Sequence, residues 1–314
     1  MPPQKFPTLQ RPFFLLLGCL SLGVTQAQPP ADSSVLRDSL VSSPGIVRLT
    51  PRAYGGLLLR NMRDAFTKPF HMSRRDWGNA GKFALAAGAL AFADLPVQRA
   101  AVRWRNRSGT LRTLSAQVTE FGGDYEGMVI GGIGVYGFLA KKPRMQTAAL
   151  LATQSYLTGS ALFAVLKKLT GRQRPYITDP NTQEVSPRFF GPFYKTPPNP
   201  GGGSTNSAFP SGHTTVSFAA ATVFAEMYPD RKWVPVLSYS VATLVGLSRI
   251  TENRHWATDV LAGAALGYLT GRLTVRNYKR YAASQAGAGV RSRTSFRLSY
   301  AYGQVLPGLV HTFR

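Results

Sequence analysis

Acidic residues are scarce in this chain. Its 314 residues hold 14 Asp and Glu against 37 Lys and Arg, for a formal charge of +23. So one-sided a balance argues against cationic partners and points to anionic ones: a phosphorylated lipid or other phosphorylated substrate, an anionic membrane surface, or nucleic acid. Charge of either sign is thin, at 16% of residues, where about 25% is usual. With 44% hydrophobic residues, this excludes a disordered chain and suggests helices surrounded by lipid or by one another. Cysteine is nearly absent, and Cys19 alone rules out a disulfide framework or a thiolate metal site. There are only four histidines, so the position of each can be weighed.

Lys5 and Arg11 precede an apolar run from Phe13 to Val24, followed by Thr25-Gln26-Ala27. A basic start, a short apolar core and small residues at −3 and −1 describe an export signal, residues 1–27, cleaved after Ala27. Two other readings stay open: Leu16-Leu17-Gly18-Cys19 as a lipoprotein box, and an uncleaved anchor helix. All three place the mature protein outside the cytoplasm.

Residues 28–80 form a polar N-terminal region in which Pro51 and Pro69 are expected to break any long helix. Apolar segments then recur at 82–94, 127–140, 147–167, 213–227, 234–248 and 257–273, rich in small residues that let helices approach closely. With no strand alternation there and no internal repeat, residues 81–275 read as an all-α domain, a helical bundle of five to six core helices. A spanning helix needs about 20 apolar residues. Segment 147–167 reaches that length, the last two approach it, and 82–94 falls short. The bundle is therefore expected in the inner membrane, with a soluble periplasmic bundle as the alternative that a mean hydropathy of −0.08 permits.

A parity count sets the expected orientation. From an exterior N-terminus, with 82–94 not crossing, the turns Lys141-Lys142-Pro143-Arg144 and Asp230-Arg231-Lys232 fall inside, as the positive-inside rule asks. The long Pro- and Gly-rich loop 171–209 then faces the periplasm. If 82–94 did cross behind a cleaved signal, that face would point to the cytoplasm. Residues 276–314 are a basic tail, β-like from Phe296 to Arg314.

Three clusters at the edges of expected helices carry chemistry. Lys167-x6-Arg174-Pro175 puts two cations seven apart, on one helix face. Pro210-Ser211-Gly212-His213 precedes an apolar helix, so Ser211 can cap it and the exposed N–H groups can hold an anion. Ser248-Arg249-x5-His255-x3-Asp259 sets a carboxylate one helical turn from a histidine, where it can hold one ring nitrogen and free the other. Each alone has a plain alternative in helix caps and surface pairs. Together they supply cations, an anion nest and two histidines, an inventory for phosphoryl transfer without a metal.

The three motifs resemble those of the type 2 phosphatidic acid phosphatase (PAP2) superfamily, which also holds acid phosphatases and vanadium haloperoxidases. K-x6-RP, PSGH and SR-x5-H-x3-D are each met, in order, over residues 127–273. The resemblance implies a phosphoric ester hydrolase that needs no metal or other cofactor. His255 would be the nucleophile forming a phosphohistidine, Asp259 would orient it, and His213 would protonate the leaving oxygen. Lys167, Arg174, Arg249, Ser211 and the Gly212 N–H would bind the phosphate. His71 and His311 match no motif, and Arg172 is an extra cation with no assigned role. The expected substrate is a phosphomonoester or pyrophosphate of a lipid, with no nucleic acid and no obligate protein partner. The alternatives are a vanadate-dependent haloperoxidase and a soluble, non-specific periplasmic acid phosphatase. Phe189-Phe190-Gly191-Pro192-Phe193-Tyr194, between Arg188 and Lys195, is expected to act as an aromatic lid at the membrane surface.

Overall fold

The computed structural model describes residues 46–177, 185–193, 206–289, 293–301 and 304–312. The expected export signal with Cys19, and Tyr194, Lys195 and the glycine run of the long loop, lie outside the described residues. In chain order the helices are α1 (Pro51–Thr67), α2 (Arg74–Ala91), α3 (Asp94–Arg107), α4 (Gly109–Glu120), α5 (Glu126–Leu139), α6 (Pro143–Thr170), α7 (Gly212–Met227), α8 (Trp233–Thr251) and α9 (Ala257–Gly289). A hairpin of β1 (Arg293–Ala301) and β2 (Gln304–Thr312) follows, antiparallel from Arg293 opposite Thr312 to Ala301 opposite Gln304. The all-α bundle expected from the sequence is the observed architecture, and the six apolar segments fall on α2 and α5 to α9.

Three helices, α1, α3 and α4, arise where none was expected. Pro51 begins α1 instead of breaking it, with the Thr50 hydroxyl accepting from the Ala53 N–H at 3.3 Å. At α2 a capping box of Ser73 and Asp76 starts the helix eight residues ahead of its apolar run. The segment that looked too short is thus an 18-residue helix, bent by 58° into α3 beyond Ala91. α9 runs on to Gly289, past the position where the sequence ends the core.

The packing is the inverse of a water-soluble protein. α6 and α7 turn Thr147, Ala148, Ala152, Thr158, Thr214, Thr215, Ala219 and Thr222 inward. Leu150, Leu157 and Leu169 of α6, and Trp233, Val236, Leu237 and Leu244 of α8, are exposed. Large apolar side chains outside and small or hydroxylated ones inside suit a lipid solvent, where close helix approach replaces hydrophobic burial. Among the described residues α6 and α8 are each long and apolar enough to cross a membrane, and α2 with α3 pass the same test as a bent pair. The closest approach is between α7 and α9. A Cβ on Gly263, Gly267 or Gly271 would overlap the backbone oxygen of Ser211, Thr215 or Ala219.

A buried polar layer fastens α1 to the bundle. Asn61 donates to Gln154 of α6 at 2.8 Å, and Asn277 of α9 donates to Asn61 at 2.9 Å and to Asp64 at 3.1 Å. Asn277 lies 20 residues beyond Ala257, about 30 Å along the helix. At the other extreme Asp94, which opens α3, bonds Thr258 at the start of α9. The 18 residues of α2, about 27 Å, must cover that distance, so α2 runs the length of the bundle. The C-terminus of α6, the N-terminus of α7, the C-terminus of α8 and the N-terminus of α9 therefore meet at one end. The opposite end carries Lys141, Lys142, Arg144, Arg231 and Lys232, with Arg144 bonded to the Met227 carbonyl and Asp230.

Candidate active site

α6 brings Lys167 to its last turn and stops at Gly171, whose φ of +54° closes the helix in the left-handed region. The Lys167 ammonium lies 5.0 Å from the Phe163 ring, and a Cβ on Gly212 would stand 3.4 Å from it. Gly212 thus leaves room for the cation at the mouth of α7. Arg174 differs from its expected placement. It sits beyond the helix in the loop, where Ser207 accepts from its Nε at 3.2 Å and its Nη2 at 3.1 Å. Lys167 and Arg174 converge because the chain turns at Gly171, not because they share a helix face.

Ser211 occupies the N-cap position of α7 and is fully buried, but its hydroxyl makes no capping bond. It accepts from the Thr214 hydroxyl at 2.8 Å, which leaves its own proton to donate elsewhere. Its N–H is held by the Asp259 carbonyl at 3.0 Å. His213 follows in the first turn of α7, half-buried. Its Nε2 would stand 2.8 Å from a Cβ on Gly123, in the π-helical turn before α5. One turn further along α7, Ser217 donates to the buried Glu126 at 2.8 Å.

α8 delivers Arg249, 6% exposed, with its Nε lacking a hydrogen-bond partner among the described residues. A buried guanidinium N–H without an acceptor is costly unless an anion is to be received there. His255 precedes α9 and is 1% exposed. Its Nδ1 bonds the Ala208 carbonyl at 2.7 Å, while the Asp259 carboxylate stands 3.6 Å away. A carbonyl can only accept, so Nδ1 carries the proton and the Nε2 lone pair is free. Burial first, then the charges of Arg174, Arg249 and Lys167, holds this imidazole well below the usual histidine range and therefore neutral.

Asp259 was expected to grip His255 across one helical turn. Instead its Oδ2 accepts the Trp256 N–H at 2.8 Å, capping α9, and its Oδ1 accepts from Arg172 at 2.5 Å. The ring nitrogen is claimed by the backbone of Ala208 because His255 lies ahead of the helix and not within it. Arg172 is 2% exposed and also bonds Asp94 and Thr258, each at 2.6 Å. Sequence reasoning missed Arg172 and Asp94. The available signal was Asp94 itself, an acid beside the apolar run 82–93, which needs a buried partner.

All eight residues singled out in the motifs stand around this one end of the bundle, drawn from α6, the following loop, α7, α8 and α9. Among the described residues no group of three His, Cys, Asp or Glu could hold a metal ion. Residues 148–282 match the family model of the PAP2 superfamily. That match takes in all three motifs and spans 135 of the 314 residues. Over 72 residues, 23% of this chain and 16% of the relative, it is 53% identical to a lipid A 1-phosphatase of Porphyromonas gingivalis. An undecaprenyl-diphosphatase of Sulfolobus acidocaldarius is 27% identical over 171 residues, 54% of this chain and 72% of that one. A lipid A 1-phosphatase of Rhizobium etli is 30% identical over 150 residues, 45% of this chain and 58% of the relative. Two of these three relatives are thus covered over less than two thirds of their length. Among solved structures, a transmembrane PAP2-type phosphatidylglycerolphosphate phosphatase of Bacillus subtilis superposes with a TM-score of 0.46 at 25% identity, covering 63% of this chain and 92% of that one.

Proposed function

We propose that this protein is a PAP2-type phosphatase of a phosphorylated lipid, working through a phosphohistidine on His255 and without a metal. One observation carries the reading: the neutral His255 lies within the electrostatic reach of Lys167, Arg174 and Arg249, the last with a buried, unpartnered Nε. Those cations would clamp the equatorial phosphate oxygens together with the Ser211 hydroxyl and the Gly212 N–H. The His255 Nε2 lone pair then attacks phosphorus as the bond to the leaving oxygen breaks, and His213, neutral before substrate binds, takes up a proton as the anionic phosphate offsets the cations and passes it to that oxygen. In the second half, water attacks phosphorus while His213 takes its proton. The P–N bond breaks, and inorganic phosphate leaves.

A lipid substrate draws support from the inverted bundle and from α3. Arg99, Arg103 and Arg107 lie four apart along α3, all exposed and with no ion pair among the described residues. Phe92 and Trp104 are exposed beside them. Such a basic, aromatic surface at the site end of the bundle suits anionic headgroups. The relatives named for lipid A and undecaprenyl diphosphate lend the same support. Phosphate release should be measured on lipid A, undecaprenyl diphosphate, phosphatidate and p-nitrophenyl phosphate, with EDTA, vanadate and a bromide-oxidation arm. Turnover is expected to favour a lipid, survive EDTA and be inhibited by vanadate. A clear preference for the soluble ester would instead make it a general acid phosphatase, and vanadate-dependent bromide oxidation a haloperoxidase.

The site end is assigned to the outer face of the inner membrane, because the opposite end carries Lys141, Lys142, Arg144, Arg231 and Lys232 in its short turns. With α2 running the full length, residues 46–73 stay on the inner side in this orientation. A signal cleaved at Ala27 ahead of a crossing α2 would demand the reverse. Single cysteines placed at Arg60 and at Arg103 separate the two. An impermeant maleimide on intact spheroplasts should label Arg103→Cys and spare Arg60→Cys, and the opposite pattern would turn the site to the cytoplasm.

A further inference from the structure

Arg172 reaches His255 indirectly, by two routes. Its guanidinium bonds Asp259, whose carboxylate lies 3.6 Å from Nδ1. Its backbone carbonyl accepts the Ala208 N–H at 2.9 Å, and Ala208 in turn holds Nδ1 at 2.7 Å. The next residue adds a third restraint, since the Gln173 carbonyl accepts the Trp256 indole N–H at 2.8 Å. Asp94 balances the guanidinium from α3 and is fully buried. Because the arginine fork serves two carboxylates at once, neither can shift without moving the other.

The same residue is also where the long loop docks. Phe189 pairs with Arg172 in an antiparallel bridge, and its ring lies 4.7 Å from the guanidinium. Gln173 donates its N–H to the Arg188 carbonyl at 2.9 Å, and Gly191 donates to the Thr170 carbonyl at 3.0 Å. The Phe189 ring also meets Phe209 edge-on at 5.8 Å, next to Ala208. Phe189 was expected to serve as a membrane-facing lid residue, but half of it is spent on this contact. Among the described residues of that sequence Phe193, 95% exposed, is the aromatic most open to lipid.

We propose that Arg172, with Asp94 as its counter-ion, is a positioning residue that couples the docking of the 185–193 loop to the alignment of His255. Substrate contacts made by the loop then reach the nucleophile through Phe189, Arg172, Asp259 and Ala208. This rests on the phosphatase reading, because the quantity being positioned is the His255 nucleophile.

The test compares Phe189→Leu, Arg172→Lys and the double variant on p-nitrophenyl phosphate, an ester too small to need a lipid contact. Phe189→Leu, at a surface position, should lower kcat about 10-fold with KM nearly unchanged, since displacement of a reacting group by a fraction of an ångström acts on the chemical step. Arg172→Lys keeps the charge but loses the fork, and should lose about 100-fold in kcat. Once the link is cut the second change has nothing left to transmit, so the double variant should match Arg172→Lys alone. An unchanged kcat in Phe189→Leu, or losses that simply multiply, overturns the proposal, and the first result decides even if Arg172→Lys fails to fold. If the wild-type protein hydrolyses no phosphate ester, it is the phosphatase reading that fails.

Discussion

Replacing His255 with alanine should abolish turnover and leave no phosphoenzyme to trap. The expected loss is on the order of 10⁴-fold or more, equivalent to about 5.5 kcal/mol of transition-state stabilisation. The case rests on the bond from Nδ1 to Ala208, which fixes the tautomer, and on burial among three cations, which keeps the ring neutral. His213→Ala removes both the leaving-group proton and the base for the attacking water. It should keep some activity on p-nitrophenyl phosphate, whose leaving group needs no proton, with phosphoenzyme accumulating, and lose most of it on alkyl phosphates. Rapid quenching into alkaline detergent with ³²P-labelled substrate checks both. A stoichiometric, acid-labile phosphoenzyme in His255→Ala would reassign the nucleophile.

The second large effect is expected far from any reacting atom. Gly267→Ala adds one methyl group where α9 meets the backbone of α7 at Thr215 and Ala219 and the Cβ of Phe218. Backbone cannot rotate away as a side chain can, so the helices must separate. The cost should be about 3 kcal/mol of stability. It should also cost about 100-fold in kcat/KM, because α7 starts at Ser211 and His213 while α9 starts beside His255. Gly78→Ala is the matched control. Nothing lies within 4 Å of its added methyl group in α2, and alanine is the better helix former by about 1 kcal/mol. Thermal unfolding in detergent should show a lowered Tm for Gly267→Ala and none for Gly78→Ala. Equal midpoints would mean that α7 and α9 are not locked at this contact.

Much of this was legible in the sequence. The three motifs named the residues that meet at the end of the bundle, and apolar runs located six of its helices. Two kinds of feature were not legible. Helices α1, α3 and α4 have too many polar side chains to stand out by apolar period, and α1 and α4 are marked instead by the local caps Thr50 and Ser108. The environment of His255 depends on long-range partners. A spacing of four suggested a bond to Asp259, but no spacing reveals that a backbone carbonyl 47 positions away would take it. Likewise Asp94 and Arg172 are 78 residues apart. Their pairing follows from α2 reaching the site end, which required knowing that the helix starts at Arg74. The glycine spacing of α9 at 263, 267 and 271 was there to read as a close-approach face, yet its partner helix was not.

The groups assigned to the phosphate sit at helix ends or just beyond them, and this makes the site a matter of vertical alignment. A helix advances about 5.4 Å per turn, so sliding one of the four by a single turn would carry its ligand out of hydrogen-bond range. α6 spans 28 residues and α8 19, so a common hydrocarbon slab cannot match both without tilting one. Acyl-chain length in the surrounding bilayer thereby becomes a geometric setting of the catalytic centre, as much as temperature or pH is for an enzyme in water.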